Sequence, residues 1–334
     1  MIFDGSMLGE RELQAVWYAG KRPSIVLRAL AAVYAGVISC RRLLYRAGLL
    51  HAQRLPVPVV VVGNLTVGGT GKTPLVIALV DALRARGRRP GVVSRGYRGS
   101  VDAPRLLDRA STPFECGDEP VLIHRVTGAP VAVGRDRAAA ARLLITEGQC
   151  DVVIADDGLQ HYALTRDVEI CVIDGARRFG NGRLLPAGPL REPLSRLESI
   201  PFHVCNGGVT LDGEVEMRLV ATSAERIGTD TVTAKPLADF VGQRIHAVAA
   251  IGNPTRFFTM LRVAGLDVDE HPFADHHAFV EADLDFGDEA PVLMTQKDAV
   301  KCEAFARANH WQVPVRAQLP AAFFDAIVAK LGGG

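Results

Sequence analysis

The chain has 334 residues, long for one hydrophobic core, so two domains are expected. Its 48% hydrophobic and 22% charged residues exclude a disordered chain. The 38 basic and 37 acidic residues nearly cancel, so net charge alone points to no class of partner.

The first segment, Met1 to Gly20, is polar and mixed. It has no basic flank leading into an apolar core, so no cleavable signal is expected. The next stretch is basic: Lys21, Arg22, Arg28, Arg41, Arg42, Arg46 and Arg54 occur between 21 and 54 with no acid among them. Such a stretch suits an anionic surface, nucleic acid or membrane. Within it, residues 24–50 are the most apolar of the chain but too short to span a bilayer. Val26, Leu30, Val33, Val37, Cys40 and Leu44 recur at helical spacing and share one face. Arg28, Ala32, Ala35, Ser39, Arg42 and Arg46 lie opposite. Two placements fit this amphipathic helix: apolar stripe on the core, or apolar stripe in a membrane interface.

Val59-Val60-Val61-Val62 then reads as a buried parallel strand after Pro56 and Pro58. It runs into Thr66-Val67-Gly68-Gly69-Thr70-Gly71-Lys72-Thr73, with Pro74 in the first turn of the following helix. Glycines let backbone N–H groups converge on phosphate oxygens, and the helix N-terminus adds its positive end. Lys72 is placed for the β/γ-phosphates and Thr73 for Mg²⁺, so the loop is expected to bind a nucleoside triphosphate. Thr66 stands where the usual pattern has its first glycine.

Strands are expected at 89–94, 130–133, 151–155 and 168–174, alternating with helices. The loops Arg95-Gly96-Tyr97-Arg98-Gly99, Gly134-Arg135-Asp136-Arg137 and Asp156-Asp157-Gly158 sit at their carboxyl ends, where ligands bind in parallel sheets. Asp156 and Asp157 follow an apolar strand as Walker-B acids do, suited to Mg²⁺. Asp118, in Cys116-Gly117-Asp118-Glu119-Pro120, is either a helix cap or a general base toward an acceptor hydroxyl. Asp275-His276-His277 reads as a polar turn. The six cysteines are scattered without zinc spacing, which suits free thiols in a reducing cytoplasm.

Together, several segments resemble one family, the tetraacyldisaccharide 4′-kinases. They are Val67 to Pro74, Ser94-Arg95-Gly96-Tyr97, Gly117-Asp118-Glu119-Pro120, Asp156-Asp157-Gly158-Leu159-Gln160-His161, Leu185 to Pro193, Phe273-Ala274-Asp275-His276 and Thr295 to Lys301. The resemblance implies ATP-dependent phosphorylation of the 4′-hydroxyl of a tetraacyl-glucosamine disaccharide 1-phosphate, giving lipid IVA. It implies ATP and Mg²⁺, an acylated disaccharide lipid as substrate, and a peripheral position on the cytoplasmic face of the bacterial inner membrane. It therefore favours the membrane placement of the amphipathic helix, with no nucleic acid and no obligate protein partner.

Carried over by position, the loop Thr66 to Thr73 holds the nucleotide. Asp118, His276, Lys72, Asp157 and Arg137 take catalytic roles, with Asp118 as base, His276 as its charge partner and Arg137 toward the γ-phosphate. Thr73, Asp156, Glu192 and Gln160 fall near the metal. Ser94, Arg95, His161 and Arg191 fall near substrate or phosphates.

The competing reading is a P-loop GTPase switch, because Thr295-Gln296-Lys297-Asp298 follows a strand as a guanine-reading motif does. The lysine is displaced by one position, and Ala155 stands where a switch aspartate belongs. A nucleotide-gated nucleic-acid binder lacks a recognition signature. The expected architecture is α/β: a segment 1–54 with the membrane-docking amphipathic helix, a P-loop NTPase domain with mostly parallel sheet over 55–205, and a smaller C-terminal α/β domain over 206–334. Gly207-Gly208 is a plausible junction. The last domain is expected to close over the lipid-sugar cleft and bring His276 to Asp118.

Overall fold

The computed structural model describes residues 9–97, 99–101, 103–228 and 233–332. The first eight residues of the N-terminal segment and Arg98 of the 95–99 loop lie outside that description. Two compact units interleave along the chain. The first comprises the described residues up to Lys72, then Asp157–Met217, then those from Pro320 on; the second comprises Thr73–Asp156 and Arg218–Leu319.

In the first unit, helices α1 (Glu10–Tyr18) and α2 (Ile25–Arg46) precede strand β1 (Val59–Gly63). Helix α3 (Lys72–Arg84) begins at the end of this segment and continues into the second unit. The second unit then carries strands β2 (Pro90–Ser94) and β3 (Arg105–Leu106) and helices α4 (Pro113–Cys116) and α5 (Asp118–Thr127). It continues with β4 (Val131–Val133), α6 (Arg137–Thr146) and β5 (Val152–Asp156). Strands β6 (Val168–Asp174) and β7 (Phe202–Asn206) belong to the first unit, and β8 (Glu214–Val220) spans the boundary at Met217.

β1 pairs with β6, β6 with β7, and β7 with β8, all parallel. In the second unit β2 lies between β4 and β5, again parallel, and β3 closes antiparallel on β4. Every residue of β1, β2, β4, β5 and β6 is buried. That explains their continuous apolar runs, since a parallel strand is covered on both faces. The strands expected from the sequence are present, each with bounds within a residue or two. Close approach of backbones is met by glycine. Gly175 follows β6 and donates its N–H to the Asn206 carbonyl at 3.2 Å. A Cβ there would overlap the Gly207 carbonyl.

Helix α2 is capped by Ser24, whose hydroxyl accepts the Leu27 N–H at 3.3 Å. Its packed side is Leu27, Ala31, Tyr34, Ile38 and Tyr45. The Tyr34 hydroxyl donates to the Arg191 carbonyl, and the Tyr45 ring lies 5.7 Å from that of Tyr162. Placement of the apolar stripe on the core is thereby overturned. Val26, Val33 and Val37 are 57%, 67% and 62% exposed, Leu30 and Cys40 are exposed, and only Leu44 is half-buried. The periodicity located the stripe, but the tyrosines and Leu27 decide which side docks. No helix among the described residues is long and apolar enough to cross a membrane.

The remaining strands of the second unit are β9 (Ser223–Arg226), β10 (Ala234–Pro236), β11 (Arg244–Ala249), β12 (Asp267–Pro272), β13 (Val292–Thr295), β14 (His310–Val313) and β15 (Arg316–Gln318). β10-β9-β14-β13-β11-β12 form a six-stranded mixed sheet, and β15 pairs antiparallel with the end of β8. Alternation along β11 sends Ile245, Ala247 and Ala249 into one core with Phe240, Phe258 and Trp311. Val248 and Ala250 go to the other core, with Met294 of β13 and Phe279. Helices α7 (Pro254–Val263) and α8 (Gln296–Cys302) belong to the second unit. Helix α9 (Ala321–Leu331) returns to the first, where Phe323 meets Phe202 edge-on at 5.8 Å.

Gly175→Ala is expected to lower stability by about 1–3 kcal/mol, because the added methyl has no space without parting two backbones. Gly36→Ala, in the exposed run of α2 with nothing near its Cβ, is expected to raise it by up to ~1 kcal/mol. Denaturant midpoints that fail to move in opposite directions would refute this packing.

Candidate active site

In the first unit the loop from Thr66 to Lys72 is held from behind. Asn64, just after β1, donates to the carbonyls of Thr66 and Gly68 at 2.7 and 3.4 Å. Arg177, fixed by Asp174 at the end of β6, donates to the Gly69 carbonyl at 2.7 Å. Asn206, the last residue of β7, donates to the Thr70 carbonyl at 2.9 Å. Three neighbouring strands thus each fasten one part of the loop through its carbonyls. Gly71 has φ +95°, and a Cβ there would run into the Asn206 amide, so glycine is required. The Thr66 position is explained too. It forms an antiparallel bridge with Leu190, and Val67 N–H donates to the Pro189 carbonyl at 2.9 Å. The Thr70 hydroxyl is buried with no hydrogen-bond partner among the described residues, as expected of a group kept for a ligand oxygen.

Lys72 Nζ donates to Asn64 Oδ1 at 3.2 Å and lies 3.5 Å from Asp157. Arg191 reaches both Asp157 oxygens, at 3.0 and 2.9 Å. The Asp157 carboxylate therefore sits between two cations, on a residue with φ +48°. Gln160 donates to the Glu192 carboxylate at 3.1 Å and to the Asn64 carbonyl at 3.2 Å, and the Tyr162 hydroxyl donates to the other Glu192 oxygen. Burial, and then this bond to Glu192, holds the Tyr162 phenol above its ordinary value. His161 lies half-buried in the same turn.

In the second unit, Thr73 is in the first turn of α3, and Asp156 ends β5 fully buried. Ser94 is buried at the end of β2, followed by exposed Arg95, and Arg137 is buried as the first residue of α6. The helix cap before α5 is Gly117, so Asp118 is the first helical residue and not the cap. Gly117 has φ +89°, with the Tyr97 carbonyl 2.9 Å from where a Cβ would be. Asp118 Oδ1 accepts the Glu119 N–H at 2.9 Å, and Oδ2 accepts from His276 Nδ1 at 2.8 Å. Burial alone would raise the Asp118 pKa. The His276 hydrogen bond and the charges of Lys297 and Lys301 outweigh it and hold the carboxyl below its usual range. His276 has φ +60°, and its ring lies 5.2 Å from Tyr97. The Asp118–His276 pair is thus already made within one compact unit.

The 295–298 segment reads no base. Thr295 caps α8 through the Asp298 N–H, and its hydroxyl donates to Asp298 Oδ2 at 2.7 Å. Asp298 also accepts the Ala250 N–H and is fully buried, so the guanine-reading role is excluded by geometry. His277 pairs with Asp283 at 2.9 Å. All six cysteines are free.

No cluster of three or more His, Cys, Asp or Glu with metal-ligand geometry occurs among the described residues. The carboxylate, amide and hydroxyl oxygens of Asp156, Glu192, Gln160 and Thr73 are nonetheless the donor type Mg²⁺ takes, with triphosphate oxygens and water completing such sites. Sequence reasoning missed Asn64, Arg177 and Asn206 as loop fasteners, because their targets are set by the parallel pairing of β1, β6 and β7. It met Lys297 only as the displaced lysine of the guanine-like segment, whereas the side chain faces Glu119, Asp275 and His276.

A glycine-rich loop of this kind between the buried parallel strand β1 and the N-terminus of α3 defines a P-loop nucleotide-binding protein. The family model described as tetraacyldisaccharide-1-P 4'-kinase matches residues 23–332. A tetraacyldisaccharide 4'-kinase of Stenotrophomonas maltophilia is 52% identical over 325 residues, 94% of this chain and 95% of that protein. One of Methylobacillus flagellatus is 48% identical over 322 residues, 96% of each. The crystal structure of LpxK from Aquifex aeolicus in complex with ATP superposes with a TM-score of 0.75 at 27% identity, covering 91% of this chain and 98% of that one. The chain belongs to the tetraacyldisaccharide-1-P 4'-kinase family.

Asn206→Ala is expected to weaken MgATP binding about 5- to 10-fold, the effect of losing one buried hydrogen bond that shapes the loop. Isothermal titration calorimetry giving wild-type affinity would show that the loop needs no such fastening.

Proposed function

We propose that the protein transfers the γ-phosphoryl group of ATP to the 4′-hydroxyl of a tetraacyl-glucosamine disaccharide 1-phosphate, giving lipid IVA. The observation that carries this reading is the Asp118–His276 pair: a buried carboxylate kept ionised and oriented by an imidazole. Phosphoryl transfer to an alcohol needs such a base. The hydroxyl oxygen forms a bond to the γ-phosphorus as the bond to the β,γ-bridging oxygen breaks. ADP leaves, and the hydroxyl proton passes to Asp118. The loop N–H groups and Lys72 hold the phosphates, and Arg137 is assigned to the charge that develops on the transferred group. Thr73, Asp156, Gln160 and Glu192 are the residues that would hold Mg²⁺, which would neutralise charge on the phosphate oxygens. Asp157, set between Lys72 and Arg191, keeps both cations in place. Ser94, Arg95, His161 and Arg191 are assigned to the neighbourhood of the phosphates or sugar.

The same proposal places the protein on the cytoplasmic face of the inner membrane, peripherally. The exposed stripe of α2 supports it: Val26, Leu30, Val33 and Val37 face solvent beside a run of arginines with no acid. A substrate with four acyl chains is presented at such a surface. The division into a docking segment (1–54), a kinase core (55–205) and a smaller α/β part (206–334) belongs to this proposal as well.

Incubated with MgATP and the disaccharide 1-phosphate, the protein is expected to add one phosphate, seen by mass spectrometry, with GTP far less effective. Asp118→Ala is expected to lower kcat on the order of 10²-fold or more; near-normal turnover at saturating substrate would remove Asp118 as base. Val33→Asp with Val37→Asp changes only exposed side chains, so folding is expected to persist while flotation with anionic liposomes falls. Undiminished flotation would place docking elsewhere.

A further inference from the structure

Lys297 occupies a place that neither the phosphate loop nor the base explains. Its side chain is only 14% exposed, and its ammonium faces groups from two segments. From α5 come Glu119 at 3.1 Å and Asp118 at 3.9 Å; from the turn after β12 come Asp275 at 3.4 Å and His276 Nε2 at 3.4 Å. On α8 itself, Lys301 is turned to Asp298 at 2.8 Å and to the His277 carbonyl. The Tyr97 ring also lies beside the imidazole.

An ammonium has three donors and no acceptor, and an ionised carboxylate accepts only. His276 is placed between the two. Its Nδ1 meets the Asp118 carboxylate at 2.8 Å, so Nδ1 carries a proton. Its Nε2 meets an ammonium, so Nε2 presents its lone pair. The Asp275 carboxylate could draw a proton onto Nε2, but it stands 3.7 Å away and is itself turned to Lys297 at 3.4 Å.

We propose that Lys297 is a positioning residue of the transfer reaction: it locks His276 as the neutral Nδ1–H tautomer, leaving Asp118 the only proton acceptor of the pair. This rests on the reading of Asp118 as the base. The proton taken from the acceptor hydroxyl then stays on Asp118. Nδ1 is already protonated, and a proton on Nε2 would face a cation. Lys297 also counters the buried acids: the charges of Glu119, Asp118 and Asp275 hold its ammonium protonated against the opposing effect of burial. The residue singled out in the sequence as part of a guanine-reading motif thus serves the phosphoryl-transfer base.

The test uses the full chain. In protein labelled with ¹⁵N-histidine, with the His276 signal assigned through His276→Gln, the ring is expected to show a protonated Nδ1 and a bare Nε2 at neutral pH. A ring protonated on Nε2, or on both nitrogens, overturns the proposal. Lys297→Met removes the cation and the donor while keeping the stem. Its kcat is expected to fall about 10-fold, a fraction of the roughly 10²-fold or more that a general base contributes, because Asp118 is still present but less well held. KM for ATP and lipid is expected to change by less than about 3-fold. With a positive charge gone, protonated Asp118 becomes easier to reach, so the acidic limb of the kcat–pH profile moves to higher pH. Lys297→Arg, which keeps charge and donors, is expected to restore the profile. An unmoved limb and unchanged kcat in Lys297→Met also overturn it. If Lys297→Met does not fold, the tautomer in the wild-type chain and the Lys297→Arg profile decide. Failure of the base reading is separate: it appears as near-normal turnover in Asp118→Ala, whatever the tautomer.

Discussion

A loop that holds phosphate oxygens must keep its backbone N–H groups for them, so its carbonyls have to be satisfied from behind. Much of the first unit follows from that constraint. Asn64, Arg177 and Asn206 each come from the end of a different strand, and the parallel pairing of β1, β6 and β7 brings all three strand ends beneath one loop. The glycines then follow: Gly71 because the Asn206 amide fills the space a side chain would need, Gly175 because the β7 turn presses against it. Leu190 and Pro189 close the other side of the loop, which ties the Leu185–Pro193 segment to the nucleotide end of the sheet.

In the second unit the governing condition is the balance of buried charge. Asp118, Glu119 and Asp275 converge on Lys297. Burial alone would favour a protonated Asp118, and the His276 hydrogen bond and Lys297 keep it ionised. Helix α8 provides the lysine from a fixed place, because Thr295 caps it and Asp298 accepts the N–H of Ala250, just after β11. A carboxylate held this way has its full basicity limited but its ionisation secured, which suits a base that must be ready when the acceptor arrives.

The parallel strands were legible because burial on both faces leaves an unbroken apolar run, as in Val59 to Val62 and Val168 to Asp174. The six-stranded sheet was legible only in part. Residues 244–251 and 291–294 read as strands, but β12 is Asp267-Val268-Asp269-Glu270-His271-Pro272 and β9 is Ser223-Ala224-Glu225-Arg226, polar because these strands are partly exposed. In the site, the phosphate loop, Lys72 and the Asp156-Asp157 pair could be read from local pattern. The partnership of Asp118 with His276 spans 158 positions and came through the family resemblance alone. Asn206 had no local signal, and the local signal of Lys297 pointed to a guanine-reading motif; both acquire their meaning only when the sheets form. The α2 stripe shows the converse. Its period was plain, but its direction depended on Leu27 and Tyr34, which lie off the stripe.

The cysteines of this chain divide sharply. Cys116, Cys150, Cys171, Cys205 and Cys302 are buried, and burial pushes their thiols up, to about 11 for Cys150 and about 12 for Cys171 and Cys302. Inert thiols of this kind resist alkylation. Cys40 alone is open, on the apolar stripe of α2. The molecule therefore carries one natural attachment point for a polarity-sensitive dye, on the helix face whose surroundings matter most. The colour of such a dye would report whether that face is bathed in water or in hydrocarbon.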